Sequence, residues 1–309
     1  MGRVLTMIAC VALCGHASIC AAQPAEADPA GAQVPQYAGD ALVRTPSTQG
    51  WEVGSSVDLE RRDTARSGTT EIPTQARYDR TTVTVTAAHQ LGAIGLLELQ
   101  VPVATIHYRE PTTGTATDAS GLGDVSLHFH RERHGGRWSS GFFVGLRLPT
   151  GKAAAMPLAG QVLPTVVQLG SGTLDPEFGG CVHLNLGAVG SLSACDHGSI
   201  ALYTNAHDYR DPYAFQARLF LARPFGDRRV SAQAGLLYEA QGTARWQGQA
   251  LASTGHHELF AEASLWLALV HGLSLRTTIE LPVQATVQGM QLADTLRMMA
   301  GLSYDFDGR

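Results

Sequence analysis

Ionisable side chains of both signs recur along this sequence, and each alternates with apolar neighbours as residues on one face of a β-sheet do. Ten of them are candidates for a shared interior surface: Glu98, Asp124, His128, His130, Arg147, Arg218, Glu262, Arg276, Glu280 and Arg297. Charges enclosed by protein usually pair, because an unpaired buried charge is costly. If pairing is incomplete, the same residues would instead form the polar wall of a weakly selective passage.

Two of these residues could also bind a metal ion. His128 and His130 are two positions apart, so in a strand their imidazoles share one face about 7 Å apart. His134 is near but falls in the predicted following turn. Because the strand itself offers no third ligand, we favour solvated or paired histidines and predict no metal site.

Two cysteines are candidates for a disulfide bond. A hairpin with its turn centred on Ala188 places Cys181 directly opposite Cys195, with the Cβ atoms about 4.5–5.5 Å apart. A bridge needs about 3.5–4.5 Å, which suits only a non-hydrogen-bonded pair. The alternative is two reduced thiols in register by chance.

The elements that would position these side chains are strands with an apolar residue at every second position, as in 95–105 and 272–285. Twelve such segments can be placed: 51–61, 76–88, 94–108, 121–132, 138–149, 174–186, 190–204, 213–224, 228–241, 256–269, 272–286 and 294–306. Most exceed the roughly 5–6 residues typical of strands in soluble sheets. They match the roughly 9–11 tilted residues that cross a bilayer.

The connections between these segments alternate between long and short. The long ones lie near 62–75, 109–120, 150–173, 205–212, 242–255 and 287–293. Long loops on one side and short turns on the other are typical of outer-membrane barrels. We therefore predict an all-β fold, a transmembrane antiparallel β-barrel of about 12 strands in a single domain. A soluble β-sandwich or β-solenoid is the alternative, and strand length and loop alternation both oppose it.

The first 50 residues differ from the rest. Residues 1–22 join a basic Arg3 to an apolar stretch and small residues, which predicts a signal peptide. An uncleaved anchor and a lipoprotein are the alternatives. Residues 23–50 lack periodicity and are interpreted as a flexible lead-in, so the barrel would occupy 51–309. We expect export to the periplasm and insertion in the bacterial outer membrane.

Composition and motifs exclude several function classes. A formal net charge of −5 and a pI near 6.2 provide no basic surface for nucleic acid. Gly-x-Gly pairs at 121–123 and 170–172 precede no predicted helix, so a dinucleotide site is rejected and no cofactor is expected. A lipid hydrolase would need a Ser–His pair facing lipid, but no Gly-x-Ser-x-Gly motif occurs and the strand histidines share the polar face. We therefore predict no enzyme.

Short Gly-rich motifs resemble a family of outer-membrane transporters labelled as meta-pathway phenol-degradation proteins. They are Gly121-Leu122-Gly123-Asp124, then 145–151 (GLRLPTG), then 170–173 (GSGT) with Asp175. The resemblance covers roughly 51–306. It implies a barrel and the passage of small, often hydrophobic molecules.

The leading functional hypothesis is passive passage of a small, hydrophobic or aromatic solute through a narrow polar lumen. Twelve strands leave less space than the 16 or more of wide aqueous porins. A structural or adhesive closed barrel with binding loops is the alternative. Expected partners are outer-membrane lipid, the solute and the barrel-assembly machinery, since the last strand ends near aromatic Tyr304 and Phe306. The sequence does not fix the oligomeric state.

Overall fold

The protein is described by a computed structural model that covers residues 50–111, 114–135, 137–152, 157–158, 161–162, 168–225, 229–269 and 272–306. The predicted signal peptide and nearly all of the predicted lead-in lie outside these residues. Among the described residues, no helix is long and apolar enough to cross a membrane.

Antiparallel strands make up most of this structure. The main ones are β1 (Trp51–Gly68), β3 (Arg77–Gln90), β4 (Leu96–Glu110), β6 (Val125–Gly135), β7 (Trp138–Leu148), β10 (Asp175–Asn185), β11 (Ser191–Ser199), β13 (Ala214–Phe225), β14 (Val230–Gln241), β17 (His256–Ala268) and β18 (Leu273–Asp305). The shorter ones are β2 (Thr70–Ile72), β5 (Thr115–Leu122), β8 (Pro157–Leu158), β9 (Gln161–Val162), β12 (Tyr209–Arg210), β15 (Arg245–Trp246) and β16 (Gln249–Ala250). Each main strand pairs with the next along the chain, and β18 pairs with β1, so the sheet closes.

The last strand, β18, contributes two consecutive passes to the barrel wall. Its first half pairs with β17 and its second half with β1. Its two ends meet, because the Asp305 N–H donates to the Gly272 carbonyl oxygen at 3.1 Å and the hydroxyls of Ser274 and Ser303 lie 2.7 Å apart. The chain folds back near Gly289, whose φ is +70°. With the ten other main strands, these two passes give the predicted 12-stranded barrel.

The two faces of the barrel wall have opposite character. Large apolar side chains such as Val85, Val144 and Leu281 are exposed on the outside. The alternate positions carry buried polar residues such as Glu98 and Gln216. A soluble protein would place these sets the other way round. The exposed apolar band is the surface that a bilayer would cover.

The barrel has a long-loop end and a short-turn end, as predicted. The short turns follow β3, β6, β10, β13 and β17, and the termini of the barrel, near Trp51 and Phe306, lie at the same end. A hydrogen bond from the Phe306 N–H to the Trp51 carbonyl oxygen joins them at 3.0 Å.

The structure corrects several predicted boundaries. β1 runs to Gly68 rather than ending at 61, and the second pass of β18 begins near 290, within a segment interpreted as a loop. β5 occupies part of the predicted 109–120 loop and pairs with the C-terminal half of β4, residues 103–110. All of these extensions lie at the long-loop end. Strands that project beyond a bilayer need no apolar outer face, so the alternation that predicts strands is weak there.

Candidate functional site: the barrel lumen

The ten ionisable residues chosen from the sequence all occupy the inward-facing alternation of their strands or its margin. Seven are buried and three are partly buried, and the buried ones are Glu98, Asp124, His128, His130, Arg147, Glu262 and Glu280. The partly buried ones are Arg218, Arg276 and Arg297. They do not form one cluster. The strands divide them between two arcs of the wall and the long-loop mouth.

The first arc, formed by β4, β6, β7, β10 and β11, is rich in histidine. His128 lies directly opposite Glu98 in the β4–β6 ladder. Its Nε2 lies 2.8 Å from Glu177 Oε2, and its Nδ1 lies 3.7 Å from Glu98 Oε1. His130 Nε2 lies 3.9 Å from the same Glu98 oxygen, and within the described structure neither ring nitrogen of His130 has a hydrogen-bond partner.

Aromatic and glycine residues shape this arc. The Phe143 ring lies among three imidazoles, with centroids 5.3–5.5 Å from those of His128, His130 and His197. Gly145 is paired with His128 across the β6–β7 ladder. A Cβ at Gly145 would overlap the His128 ring, so the inward orientation of this imidazole depends on glycine there.

The second arc, formed by β13, β14, β17, β18 and β1, is a network of arginine–carboxylate pairs. Arg297 donates to both Glu239 oxygens at 2.7 and 2.8 Å and to Asp294 at 2.6 Å. Its guanidinium also lies 4.4 Å from the centroid of the Phe260 ring. Bidentate, charge-assisted pairs of this kind are the strong ones.

Arg218 extends this network along the inner face of the same arc. Its Nε lies 3.2 Å from Glu262 Oε2, and its NH2 donates to Glu280 at 3.0 Å. The strands of Arg218 and Glu280 are separated by β14 and β17, so the ion pair spans two intervening strands. In this conformation the lumen charges are extensively paired.

Asp124 has a different role, at the long-loop mouth. Its carboxylate accepts hydrogen bonds from the backbone N–H groups of Gly151 at 2.9 Å and Ser171 at 2.7 Å, and from the Ser171 hydroxyl at 3.0 Å. Thr150 donates to the Gly123 carbonyl oxygen. The three Gly-rich motifs singled out in the sequence therefore meet at one point.

The described end of the 150–173 loop lies inside the mouth. Leu169 is buried in an apolar cluster with Tyr78, Ile106 and Leu292, which belong to β3, β4 and β18. Ser171 and Thr173 follow it and are also buried. This segment, 168–173, is called the mouth segment below.

Sequence reasoning missed several residues of the lumen. Glu177 and Asp175 pair with Arg147, and Arg62 donates to Asp294 at 3.1 Å. Asp175 and Glu177 lie at even spacings from Cys181 and therefore on the same face of the strand, and this spacing is a signal that could have found them. Arg62 and Asp294 lie where apolar alternation is absent, so no such signal marks them.

The predicted disulfide is present. Cys181 and Cys195 are bonded, are direct partners in the β10–β11 ladder and have Cα atoms 4.1 Å apart. This short Cα separation is characteristic of the closely spaced, non-hydrogen-bonded pair that the bridge requires.

Comparison with solved structures identifies the fold. The COG4313 outer membrane channel from Pseudomonas putida F1 superposes with a TM-score of 0.69 and 14% identity, over 83% of this chain and 96% of that one. The translocator domain of the autotransporter NalP from Neisseria meningitidis gives 0.48 and 13%, over 87% and 92%. The CymD monoaromatic hydrocarbon channel gives 0.41 and 9%, over 84% and 88%.

The first of these likenesses, with a TM-score of 0.69, establishes that the chain has the fold of an outer-membrane β-barrel. The sequence matches no protein-family model, and no curated protein is significantly similar to it. The fold agrees with the barrel that the sequence motifs imply, and the transporter role stays a prediction. The phenol-degradation label stays a prediction.

Proposed function

We propose that this protein is an outer-membrane channel for small solutes and that the conformation described here is closed. The observation that carries the proposal is a closed barrel whose inner face is charged and whose outer face is apolar. A polar lumen wall is what distinguishes a passage from a barrel filled by an apolar core. The ten lumen candidates would form this wall.

Two features support a closed state that can open. The charges are paired across short distances, as in Arg218 with Glu262 and Glu280. The mouth segment is held by the hydrogen bonds of Ser171 to Asp124 and by the burial of Leu169, rather than by a strand ladder. Release of these hydrogen bonds and withdrawal of Leu169 from its cluster would therefore move this segment without breaking the strand ladders of the barrel wall.

The proposed solute is small and combines an aromatic ring with polar groups. Phe143 and Phe260 offer buried aromatic rings at the inner face, and each lies against charged or imidazole groups. A planar aromatic solute could exchange these ring contacts as it passes, whereas a large hydrated solute would have to break many ion pairs at once.

Planar-bilayer conductance tests the channel directly. The wild type is compared with a variant in which residues 153–167 are replaced by Gly-Gly, a short bridge that fits because the Leu169 N–H already donates to the Lys152 carbonyl oxygen. We expect discrete current steps that are larger or more frequent in the variant. Liposomes containing the protein should admit phenol or another small aromatic faster than empty liposomes.

A structural barrel is the second candidate, and the extensive charge pairing in the lumen favours it. The two candidates differ in ion selectivity. Arg218→Gln should shift the reversal potential toward cation selectivity if ions pass the Arg218 position. If neither wild type nor the loop variant conducts and no solute enters the liposomes, the structural role replaces the channel.

A lipid hydrolase has less support. His183 Nδ1 lies 2.7 Å from the hydroxyl of Ser193, but Ser193 is buried on the inner face of the wall, away from the lipid. We therefore propose no enzymatic activity, and a lipase assay in detergent with calcium would detect one.

A further inference from the structure

We propose that the first arc of the lumen binds a divalent transition-metal ion, of which Zn²⁺ is the representative, through Glu98, His128 and His130. Their ligand atoms lie within 4.8 Å of one another, and all three side chains are buried. This proposal goes beyond the channel function and does not depend on it.

The geometry fits the ion after small adjustments. Glu98 Oε1 lies 3.7 Å from His128 Nδ1 and 3.9 Å from His130 Nε2. Zinc bound at about 2.0–2.2 Å in a tetrahedron separates its ligand atoms by roughly 3.3–3.5 Å. A contraction of a few tenths of an ångström brings each of these two distances into that range. The third distance, between the two imidazole nitrogens, lies within 4.8 Å, so the two rings must also approach each other. A set of two histidines and one glutamate leaves the fourth position for water.

The unpartnered nitrogens point to a ligand. Among the described residues, His128 Nδ1 and both ring nitrogens of His130 have no hydrogen-bond partner although they are buried. A buried polar atom without a partner has lost its contacts with water and gained none in return, which is unfavourable. An ion would use one nitrogen of each ring.

A carboxylate that would not itself bind the ion, that of Glu177, already orients His128. Glu177 Oε2 lies 2.8 Å from His128 Nε2, on the side of the ring opposite to Glu98. A metal-bound histidine typically donates its other N–H to such a carboxylate, which fixes the tautomer. Glu98 is held in turn by Gln100, whose amide donates to it at 2.7 Å.

The local charge favours a cation. Glu98, Glu177 and Asp175 are three carboxylates, and Arg147 is the guanidinium that pairs with the latter two. With neutral histidines this leaves two negative charges, which a divalent ion would balance. The competing arrangement is a protonated His128 between Glu98 and Glu177 with no metal.

A second cluster, Glu239, His256 and Glu258, has ligand atoms at similar spacing but is a poorer site. Both Glu239 oxygens already accept from Arg297, whose guanidinium also lies 4.0 Å from Glu258. A metal ion there would have to displace a bound cation. This cluster provides an internal comparison for the test.

The test measures Zn²⁺ binding to the refolded protein in detergent micelles, independently of conductance. Zn²⁺ is present during refolding, so that access to the buried site does not limit binding, and the affinity is read by competition with a chromophoric chelator. We expect one equivalent in the wild type. Co²⁺ in place of Zn²⁺ should give visible absorption bands of a low-coordinate site.

Substitutions locate the ion. Glu98→Gln and His130→Gln should each lower the affinity about 100-fold or more, and Glu177→Gln about 10- to 100-fold through the lost orientation of His128. His183→Gln, the same change elsewhere on the inner face, and His256→Gln should leave it unchanged. Gel mobility before and after boiling verifies that each variant is folded.

Three outcomes would overturn the proposal. The wild type could bind no Zn²⁺, as expected for a protonated His128. Binding could survive both Glu98→Gln and His130→Gln. Binding could instead be lost in His256→Gln, which would place the ion in the second cluster. Failure of the channel assays would leave the metal site untouched.

Discussion

The carboxylate of Asp124 accepts a hydrogen bond of 2.7 Å from the backbone N–H of Ser171, which lies 47 residues further along the chain. This bond joins the start of β6 to the mouth segment. Since the same carboxylate also accepts from Gly151, one side chain holds both ends of the long loop.

Asp124→Ala should loosen the mouth segment. Loss of the carboxylate leaves the N–H groups of Gly151 and Ser171 without their acceptor, which costs about 1–3 kcal/mol of folding free energy. We expect faster protease cleavage between residues 152 and 168, detected by mass spectrometry, and larger conductance. Asp118→Ala is the matched control, because Asp118 is an exposed carboxylate that pairs with Arg109. Equal cleavage rates in the two variants would contradict a holding role for Asp124.

Arg297→Met should destabilise the barrel strongly. Removing the guanidinium leaves the Glu239 and Asp294 carboxylates buried without their main partner, and breaking a buried pair in this way costs about 3–5 kcal/mol. Arg61→Met removes a pair whose side chains are 46% and 32% exposed and should cost about 0–1 kcal/mol. Urea unfolding in detergent, followed by intrinsic fluorescence, compares them. A similar midpoint for both variants would argue against the buried network.

Gly145→Ala should perturb the first arc. The new Cβ would overlap the His128 ring and lie 2.7 Å from the Leu127 carbonyl oxygen, so ring and strand must shift. Overpacking of this kind costs about 1–3 kcal/mol. In Gly135→Ala the new Cβ would lie 3.8 Å from its nearest atom, so stability should not change. The heat-induced mobility shift provides the comparison, and an unchanged transition in Gly145→Ala would show that the imidazole need not occupy this position.

The mature protein should contain no free thiol from Cys181 or Cys195. Alkylation without reductant, followed by mass analysis, checks this expectation. The double variant Cys181→Ala/Cys195→Ala should still fold, with a loss of about 3 kcal/mol, since the bridge closes a loop with a separation of 14 residues. Wild type treated with reductant should match the double variant. A double variant as stable as oxidised wild type would mean that the bridge adds nothing to the hairpin.

Pairing across a short hairpin turn could be predicted from the sequence, whereas pairing across a long connection or between strands that are not neighbours could not. The β10–β11 register follows from its short turn, so the contact of Cys181 with Cys195 was accessible. The register of β4 and β6 cannot be inferred in this way, because the connection between them is long and contains β5. Consequently the sequence did not indicate that Glu98, a lumen candidate, lies opposite His128.

The curvature of the closed wall sets the remaining contacts. The pair formed by Arg218 and Glu280 joins strands that are not neighbours in the sheet. Its distance depends on barrel radius and strand tilt, which no local pattern encodes. Alternation therefore predicts which side chains face inward but does not predict their partners.

The seam between β1 and the second pass of β18 constrains how the chain can acquire its fold. It pairs Glu52 with Asp305, residues at opposite ends of the described barrel. Contacts between such distant residues form slowly. Until they form, both terminal strands are open edges whose unpaired backbone groups can recruit other chains. A polypeptide truncated before residue 290 would keep both edges permanently, so it should aggregate rather than persist as a smaller barrel.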